Sequence, residues 1–428
     1  MKRLLNYFDK NLLLKIASLN SVAVITRVIV GFLTSKAIAY YIGPSGMAIV
    51  GNLRDFLGST RSFGSLGFYN GIVKYTAELK KDALQLSRLL STSFYSVLGI
   101  SILLSIAIFF SADWLNDSIL NSKGDYSYVF RILALALPFY SINLLILAVL
   151  NGISKFKFLL KVTIIGQILA GAVTIILIWK YSIAGAMIAI VLAEITVLLV
   201  TLIGIRTKFK KISLVDFKNF NFGIIKNLSS YSIMALFSAA LLPLAFVFVR
   251  NYIAEKVGLD QAGYWEAMNR LSKYYLMFIS TLLTLYILPR FSQISEASEF
   301  RKEIFNFYKN ILPIFAIGLI GIYFFRNYII LLVFTKEFYA VESLFFWQLL
   351  GDFLKVISLV ISYQLLAKNM LKQYLVTESV SISILVLSSI YYIDIYGVVG
   401  ATIAHFVTYS IYLVMMVYLF RRELFSTN

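Results

Sequence analysis

Arg54 and Arg61 stand seven residues apart in GNLRDFLGSTR (51–61), within a stretch that otherwise reads as membrane-spanning. Seven residues make two helical turns, so the two guanidinium groups share a face, and Gly51 and Gly58 follow the same period. A charge deep in a bilayer costs roughly 3 kcal/mol, which directs such side chains to an aqueous cavity or a partner. Arginine presents a planar fork of donors that matches phosphate or carboxylate, so the chemistry implied is anion binding. Six more bases fall inside apolar segments: Arg27, Lys36, Arg131, Arg270, Lys273 and Lys355. Arg270 and Lys273 are an i, i+3 pair; Gln348 and Lys355 share a face, with Asp352 one turn before Lys355. Against these eight bases stand Asp55, Glu194, Asp352 and Glu378, an excess of four positive charges that requires an anion or water.

The other readings differ in sharpness. Lys36 and Arg131 lie near helix ends, where a long side chain can reach the interface instead. Asp352 and Lys355 have the spacing of a structural ion pair. Glu194 and Glu378 have no base nearby in sequence, so with Asp352 they are candidates to exchange a proton or cation during a transport cycle. A hydrogen bond between helices is the alternative for each. The lone His405 reads as a packing or hydrogen-bonding residue.

The elements that must position these residues follow from composition. The 428 residues are 60% hydrophobic and only 14% charged, with a mean hydropathy of +0.83. Soluble domains are closer to a quarter charged, so the chain is a polytopic membrane protein. About 20 apolar residues are needed per spanning helix. Twelve candidates appear, near 16–41, 46–76, 84–110, 127–150, 158–179 and 182–205, then 224–250, 262–291, 306–332, 340–367, 371–393 and 396–420. The second and eighth are the least apolar, and hydropathy alone can miss the second. The basic linker RTKFKKISLVDFKNFNFGIIK (206–226) divides six from six. Gly46 and Asn52 match Gly263 and Asn269 at an offset of 217, which also pairs Lys155 with Lys372. The expected fold is all-α and integral to the membrane: two pseudo-symmetric six-helix lobes, 1–210 and 211–428, around a central cavity. Pro138, Pro243 and Pro313 fall inside spans and are expected to kink them.

The net charge of +18 would suggest nucleic acid in a soluble protein, but here it marks cytoplasmic loops. With both termini cytoplasmic, 25 bases fall on that side and 6 opposite. The basic MKRLLNYFDKNLLLK start has no small-residue cleavage site after a short apolar core and reads as a cytoplasmic lead-in. With no cysteine, thiol catalysis and zinc–thiolate sites are excluded. No phosphate-binding Gly-Lys-Ser/Thr loop or metal-spaced histidine pair is present, so neither a cofactor nor an enzymatic activity is expected.

The chain also resembles a known family, in IGPSGMA (42–48), NLRD (52–55), FYNGIVKYTAE (68–78), LPLAFVFVR (242–250), YILP (286–289) and LFFWQLLGDFLKV (344–356). Taken together these are similar to the Wzx flippases, or O-antigen translocases, above all the type that moves enterobacterial common antigen lipid. These belong to the multidrug/oligosaccharidyl-lipid/polysaccharide exporter superfamily, and the resemblance runs almost end to end. It implies a MATE-like fold and alternating access in the bacterial inner membrane. The implied substrate is an undecaprenyl-diphosphate-linked oligosaccharide turned from the cytoplasmic to the periplasmic leaflet. Implied partners are the lipid bilayer, a polysaccharide polymerase and a chain-length regulator, with the carrier itself a monomer and no nucleic acid involved. Lys36, Arg54, Lys74, Arg250, Asp352 and Lys355 fall where the family carries like residues; Arg270 and Lys273 do not. The aromatic content of 16%, with 28 Tyr, offers surfaces for sugar stacking. A multidrug exporter of the same superfamily is the alternative, though a cation carrier should favour acids in its cavity. A membrane polysaccharide polymerase fits less well, since the outer loops are short.

The charge bias makes the topology testable in a chain with no background thiols. Cysteines introduced at Asn121 and Lys256 should react with an impermeant thiol reagent from outside, and one at Lys210 should not; labelling at Lys210 in sealed cells would reverse the orientation.

Overall fold

The computed structural model describes residues 12–120, 124–208 and 216–425, and among them there are helices and turns but no strands. Asn121, Lys210, most of the N-terminal lead-in and the middle of the basic linker lie outside the described residues. The principal helices are α1 (Leu12–Tyr41), α2 (Gly43–Gly64), α3 (Tyr69–Leu79), α4 (Ala83–Phe110), α5 (Ser127–Gly152) and α6 (Phe156–Lys208). They are followed by α7 (Phe222–Lys256), α8 (Leu259–Leu282), α9 (Ala297–Phe324), α10 (Phe345–Ala367), α11 (Leu371–Tyr396) and α12 (Val398–Leu419).

Ten helical stretches among the described residues are long and apolar enough to cross a membrane. They differ from the twelve expected spans in two places. The stretch Phe156–Arg206 runs through two of them, and Ser182 breaks it with φ 50° and ψ −127°. α2 is helical but absent from the ten, because its glycines and charges dilute its apolarity. Pro138, Pro243 and Pro313 do lie within α5, α7 and α9. Local chemistry sets the ends where it can be read: Asp82 accepts from the Leu84 and Gln85 amides, 3.1 and 3.0 Å, and so caps α4.

The internal repeat is written in the backbone more clearly than in the side chains. Three pairs of left-handed corners recur 215 residues apart: Gly43 and Gly258, Ser154 and Asn369, Ser182 and Gly397. Gly397 (φ 60°, ψ −142°) repeats the conformation of Ser182, so the turn between the last two helices copies the break within α6. Around these corners YSIAGAMIA (181–189) and YGVVGATIA (396–404) share Tyr, Gly, Ala, Ile and Ala. The glycines are needed for contact: a Cβ on Gly185 would lie 1.9 Å from the Leu177 carbonyl oxygen, and one on Gly400 2.0 Å from that of Tyr392. The matching corners pair Lys157 with Lys372, rather than Lys155 as the 217-residue offset suggested.

By contacts the chain separates into two compact units, Met1–Ala37 with Leu53–Pro243, and Ile38–Asn52 with Leu244–Asn428. The divisions fall within α1, α2 and α7, the last at Pro243. The junction expected at 210/211 lies outside the described residues. The second unit has an aromatic core in which Phe291, Phe300 and Phe307 pack with Val356, Val360, Tyr412 and Met416. Outward faces stay apolar, as on α9, where Phe305, Ile314 and Ile317 are exposed, because lipid is their solvent.

Candidate functional site

The first unit contains a cavity of about 410 Å³ lined from α1, α2 and α6. α2 supplies Arg54, Gly58 and Arg61, so the two-turn spacing does place both arginines on one wall. α1 supplies Arg27 and Thr34. The two arms of α6, folded back at Ser182, supply Gln167 and Gly171 from one side and Glu194 from the other. Arg61 Nη1 meets Glu194 Oε1 at 2.6 Å. Gln167, its carboxamide oriented to suit its neighbours, accepts from Arg27 Nε at 3.0 Å and Nη2 at 2.9 Å. The partner of Glu194 is therefore 133 residues away in sequence. The lining carries three guanidinium groups and one carboxylate, a positive surface in a low-dielectric setting. Its size is that of a small-ligand site.

Gly51 leaves this wall. It packs in the second unit, where an added Cβ would lie 2.7 Å from the Glu266 carboxyl carbon. Glu266 is 1% exposed and clamped between two arginines: Arg250 Nη2 at 2.5 Å and Arg270 Nε at 2.9 Å. Arg250 also donates to Asn52 Oδ1 at 2.6 Å and lies over the Trp265 ring at 5.6 Å. Asn52 in turn donates to Asn251 Oδ1 at 2.7 Å. Arg270, expected on the substrate wall, does not line the cavity of the first unit; it is 2% exposed and bound to Glu266. Arg250, assigned from sequence to an outer loop, is a buried residue of α7. Including Arg250 and Glu266 adds one base and one acid to the intramembrane charges, so the positive excess stands.

The remaining expected residues disperse. Lys36 is half-buried on α1, outside the lining of the arginine cavity. Lys273 lies over the Phe246 ring at 5.6 Å. Arg131 pairs with Asp113 at 3.0 Å on an exposed surface. Lys355 lies over the Tyr409 ring at 4.9 Å, and Glu378 accepts from Tyr412 at 3.3 Å. Asp352 hydrogen-bonds to His405, Ser272, Tyr275 and Gln348, and no ion pair joins it to Lys355. Sequence reasoning missed Glu266 and Gln167. The i, i+4 relation of Glu266 to Arg270 was visible, whereas Gln167 carried no signal.

The profile of a family described as Polysaccharide biosynthesis protein matches residues 13–295. The chain belongs to that family. The chain is 28% identical to a Lipid III flippase of Escherichia coli (strain K12) over 383 residues, 89% of this chain and 92% of the relative. It is 22% identical to a Putative O-antigen transporter of Shigella flexneri over 296 residues, 65% and 67% of the two chains. Its fold is similar to an inward-facing multidrug resistance MATE family transporter, with TM-score 0.72, 15% identity and coverage of 95% of this chain and 100% of the other. The Lipid II flippase MurJ in an inward closed conformation gives TM-score 0.71 at 15% identity, covering 95% and 87%. The all-α membrane-transporter fold is thereby shown. The family match takes in the arginine cavity and the Glu266 clamp, and stops before Asp352.

The clamp predicts a large stability effect. Removing one partner of a buried ion pair strands the other, at a cost of roughly 3–5 kcal/mol. Arg250→Ala and Glu266→Gln should each lower the thermal unfolding midpoint in detergent far more than Arg131→Ala, whose pair is exposed. Equal, small shifts for all three would show that the clamp contributes nothing to stability.

Proposed function

We propose that this protein is a flippase for an undecaprenyl-diphosphate-linked oligosaccharide, an O-antigen or related surface-glycan repeat unit. It turns the lipid from the cytoplasmic to the periplasmic leaflet of the bacterial inner membrane by alternating access of two six-helix lobes. The count of twelve spans includes α2 and both arms of α6, and the Lys/Arg bias supports cytoplasmic termini. The observation that carries the reading is the wall of Arg27, Arg54 and Arg61 opposed by the single carboxylate of Glu194. A lipid diphosphate takes its negative charge through the membrane interior, and forked guanidinium donors both neutralise and orient it. The named relatives agree with that chemistry: one is a Lipid III flippase, another a Putative O-antigen transporter. A drug exporter shares the fold, but a cation carrier is poorly served by a basic lining. In this role the protein catalyses no covalent step and works as a monomer, alongside a polysaccharide polymerase and a chain-length regulator.

Thr34 and Gly58 leave room beside the charges, with nothing within 4 Å of where a Cβ on Gly58 would lie, and the diphosphate would sit there while the prenyl tail stays in lipid. Glu194 holds Arg61 when the cavity is empty, and the entering phosphate competes for it.

A hydrogen bond to a charged group contributes roughly 1.5–3 kcal/mol, so Arg54→Ala should weaken binding of the polyprenyl diphosphate glycan about ten- to a hundredfold. Arg54→Lys should recover only part, because a point charge lacks the fork. Binding to purified protein is the readout, against a neutral analogue. If Arg54→Ala prefers the charged lipid as strongly as the unaltered protein, the diphosphate site lies elsewhere.

A further inference from the structure

Arg27 and Gln167 enter the arginine cavity from different helices, and each is placed there by the helical period. On α1, Arg27, Val30 and Thr34 line the cavity with the i, i+3, i+7 spacing of one face. On the first arm of α6, Gln167, Ala170, Gly171 and Thr174 do the same. The two faces press together at Gly171, where an added Cβ would collide with the Val30 side chain. Arg27 and Gln167 each lie one turn before that contact, so it sets them opposite one another. The carboxamide oxygen then accepts from Arg27 Nε at 3.0 Å and Nη2 at 2.9 Å, along one edge of the guanidinium. The other edge, formed by Nη1 and the second Nη2 hydrogen, is not used by Gln167.

A guanidinium within a membrane protein is ordinarily answered by a carboxylate, because a low-dielectric setting favours neutral pairs. Arg61 follows that rule through Glu194 at 2.6 Å. Arg27 departs from it. Its acceptor is a carboxamide on a side chain as long as that of glutamate, which fixes the fork and cancels none of its charge. A glutamate at 167 would accept the same two bonds and hold Arg27 more firmly, since charge-assisted hydrogen bonds are the stronger kind. Stability alone therefore gives no reason for the amide, and binding does. A diester of diphosphate carries a negative charge on each phosphate, whereas a simple phosphate diester carries a single one. Charge left on the wall thus favours the diphosphate more than the monophosphate.

We propose that Gln167 determines the charge selectivity of the cavity. It positions the Arg27 fork and preserves its charge, so the wall selects a polyprenyl diphosphate over a polyprenyl monophosphate that carries the same sugar. This rests on the reading of the cavity as the diphosphate site, and it adds the class of lipid that the site rejects. Glu194 works in the opposite sense, since its carboxylate offsets the charge of Arg61 on the same lining. Charge at 167 and charge at 194 are therefore exchangeable in their effect on selectivity.

The test measures binding to the full-length protein in nanodiscs of three probes: a polyprenyl diphosphate bearing one sugar, the monophosphate bearing the same sugar, and the neutral polyprenyl glycoside. Gln167→Glu should weaken diphosphate binding about tenfold or more and monophosphate binding less, while the thermal midpoint holds or rises. A residue that only braced α1 against α6 would leave binding unchanged in this variant. Gln167→Leu keeps the charge and frees the fork, so it should bind the diphosphate more weakly than the unaltered protein yet retain more selectivity than Gln167→Glu. The double variant Gln167→Glu with Glu194→Gln returns the lining to its original charge and should recover most of the selectivity. Should Gln167→Glu fold poorly, Glu194→Gln alone decides, because it should strengthen diphosphate binding more than monophosphate binding. Unchanged diphosphate affinity in a firmly folded Gln167→Glu, a double variant no more selective than the single one, or a Glu194→Gln indifferent to phosphate number would overturn the assignment. If Arg54→Ala leaves binding unaltered, the diphosphate site itself is misplaced; if Arg54→Ala weakens it and Gln167→Glu does not, the role of Gln167 alone falls.

Discussion

A charge inside the bilayer must be answered by another charge, and the architecture of this protein follows from how each one is answered. Glu266 answers Arg250 and Arg270 in a clamp whose three side chains are at most 2% exposed. Asp352 is answered by four donors on two other helices and its own. The wall of Arg27, Arg54 and Arg61 is different in kind: Glu194 holds Arg61, Gln167 holds Arg27, and the three guanidinium groups line open volume. Buried networks of the first sort fix helices, and a basic wall beside open volume suits an anion.

The same helix takes part in both kinds. The start of α2 is held within the second unit, with Asn52 bonded to Arg250 and Gly51 against Glu266. Two residues further on begins the face that carries Arg54, Gly58 and Arg61 in the first unit. Glycine at 51 and glycine at 58 thus do separate work: one admits a carboxylate at van der Waals range, the other leaves space beside the arginines. The low apolarity of α2 is the consequence of both tasks.

How much of this was legible in the sequence depended on distance along the chain. Helix content, the apolar spans and the shared face of Arg54 and Arg61 follow from composition and the helical period, which are local. The pairing of Arg61 with Glu194 was hidden, because a fold that reverses at Ser182 brings them together across 133 residues. His405 read as a packing or hydrogen-bonding residue, and it does hydrogen-bond; only its partner was hidden, because Asp352 reaches it from 53 residues away. Arg250 was misplaced for another reason. An arginine near a helix end is equally consistent with a loop, and only burial distinguishes the two. The repeat was partly legible at an offset of 217, yet its strongest marks, the left-handed corners, are backbone features and recur at 215.

The decisive question is where the diphosphate rests. A polyprenyl diphosphate glycan with a photoreactive group beside the diphosphate, crosslinked to the protein in nanodiscs and mapped by mass spectrometry, answers it directly. Labels are expected on Thr34, Leu57, Gly58 and Thr174, the residues interleaved with the arginines, and an excess of unlabelled lipid should suppress them. Labels concentrated instead on the apolar groove of α9 and α10, around Leu319, Tyr323 and Phe353, with the arginine wall unmarked, would contradict the assignment.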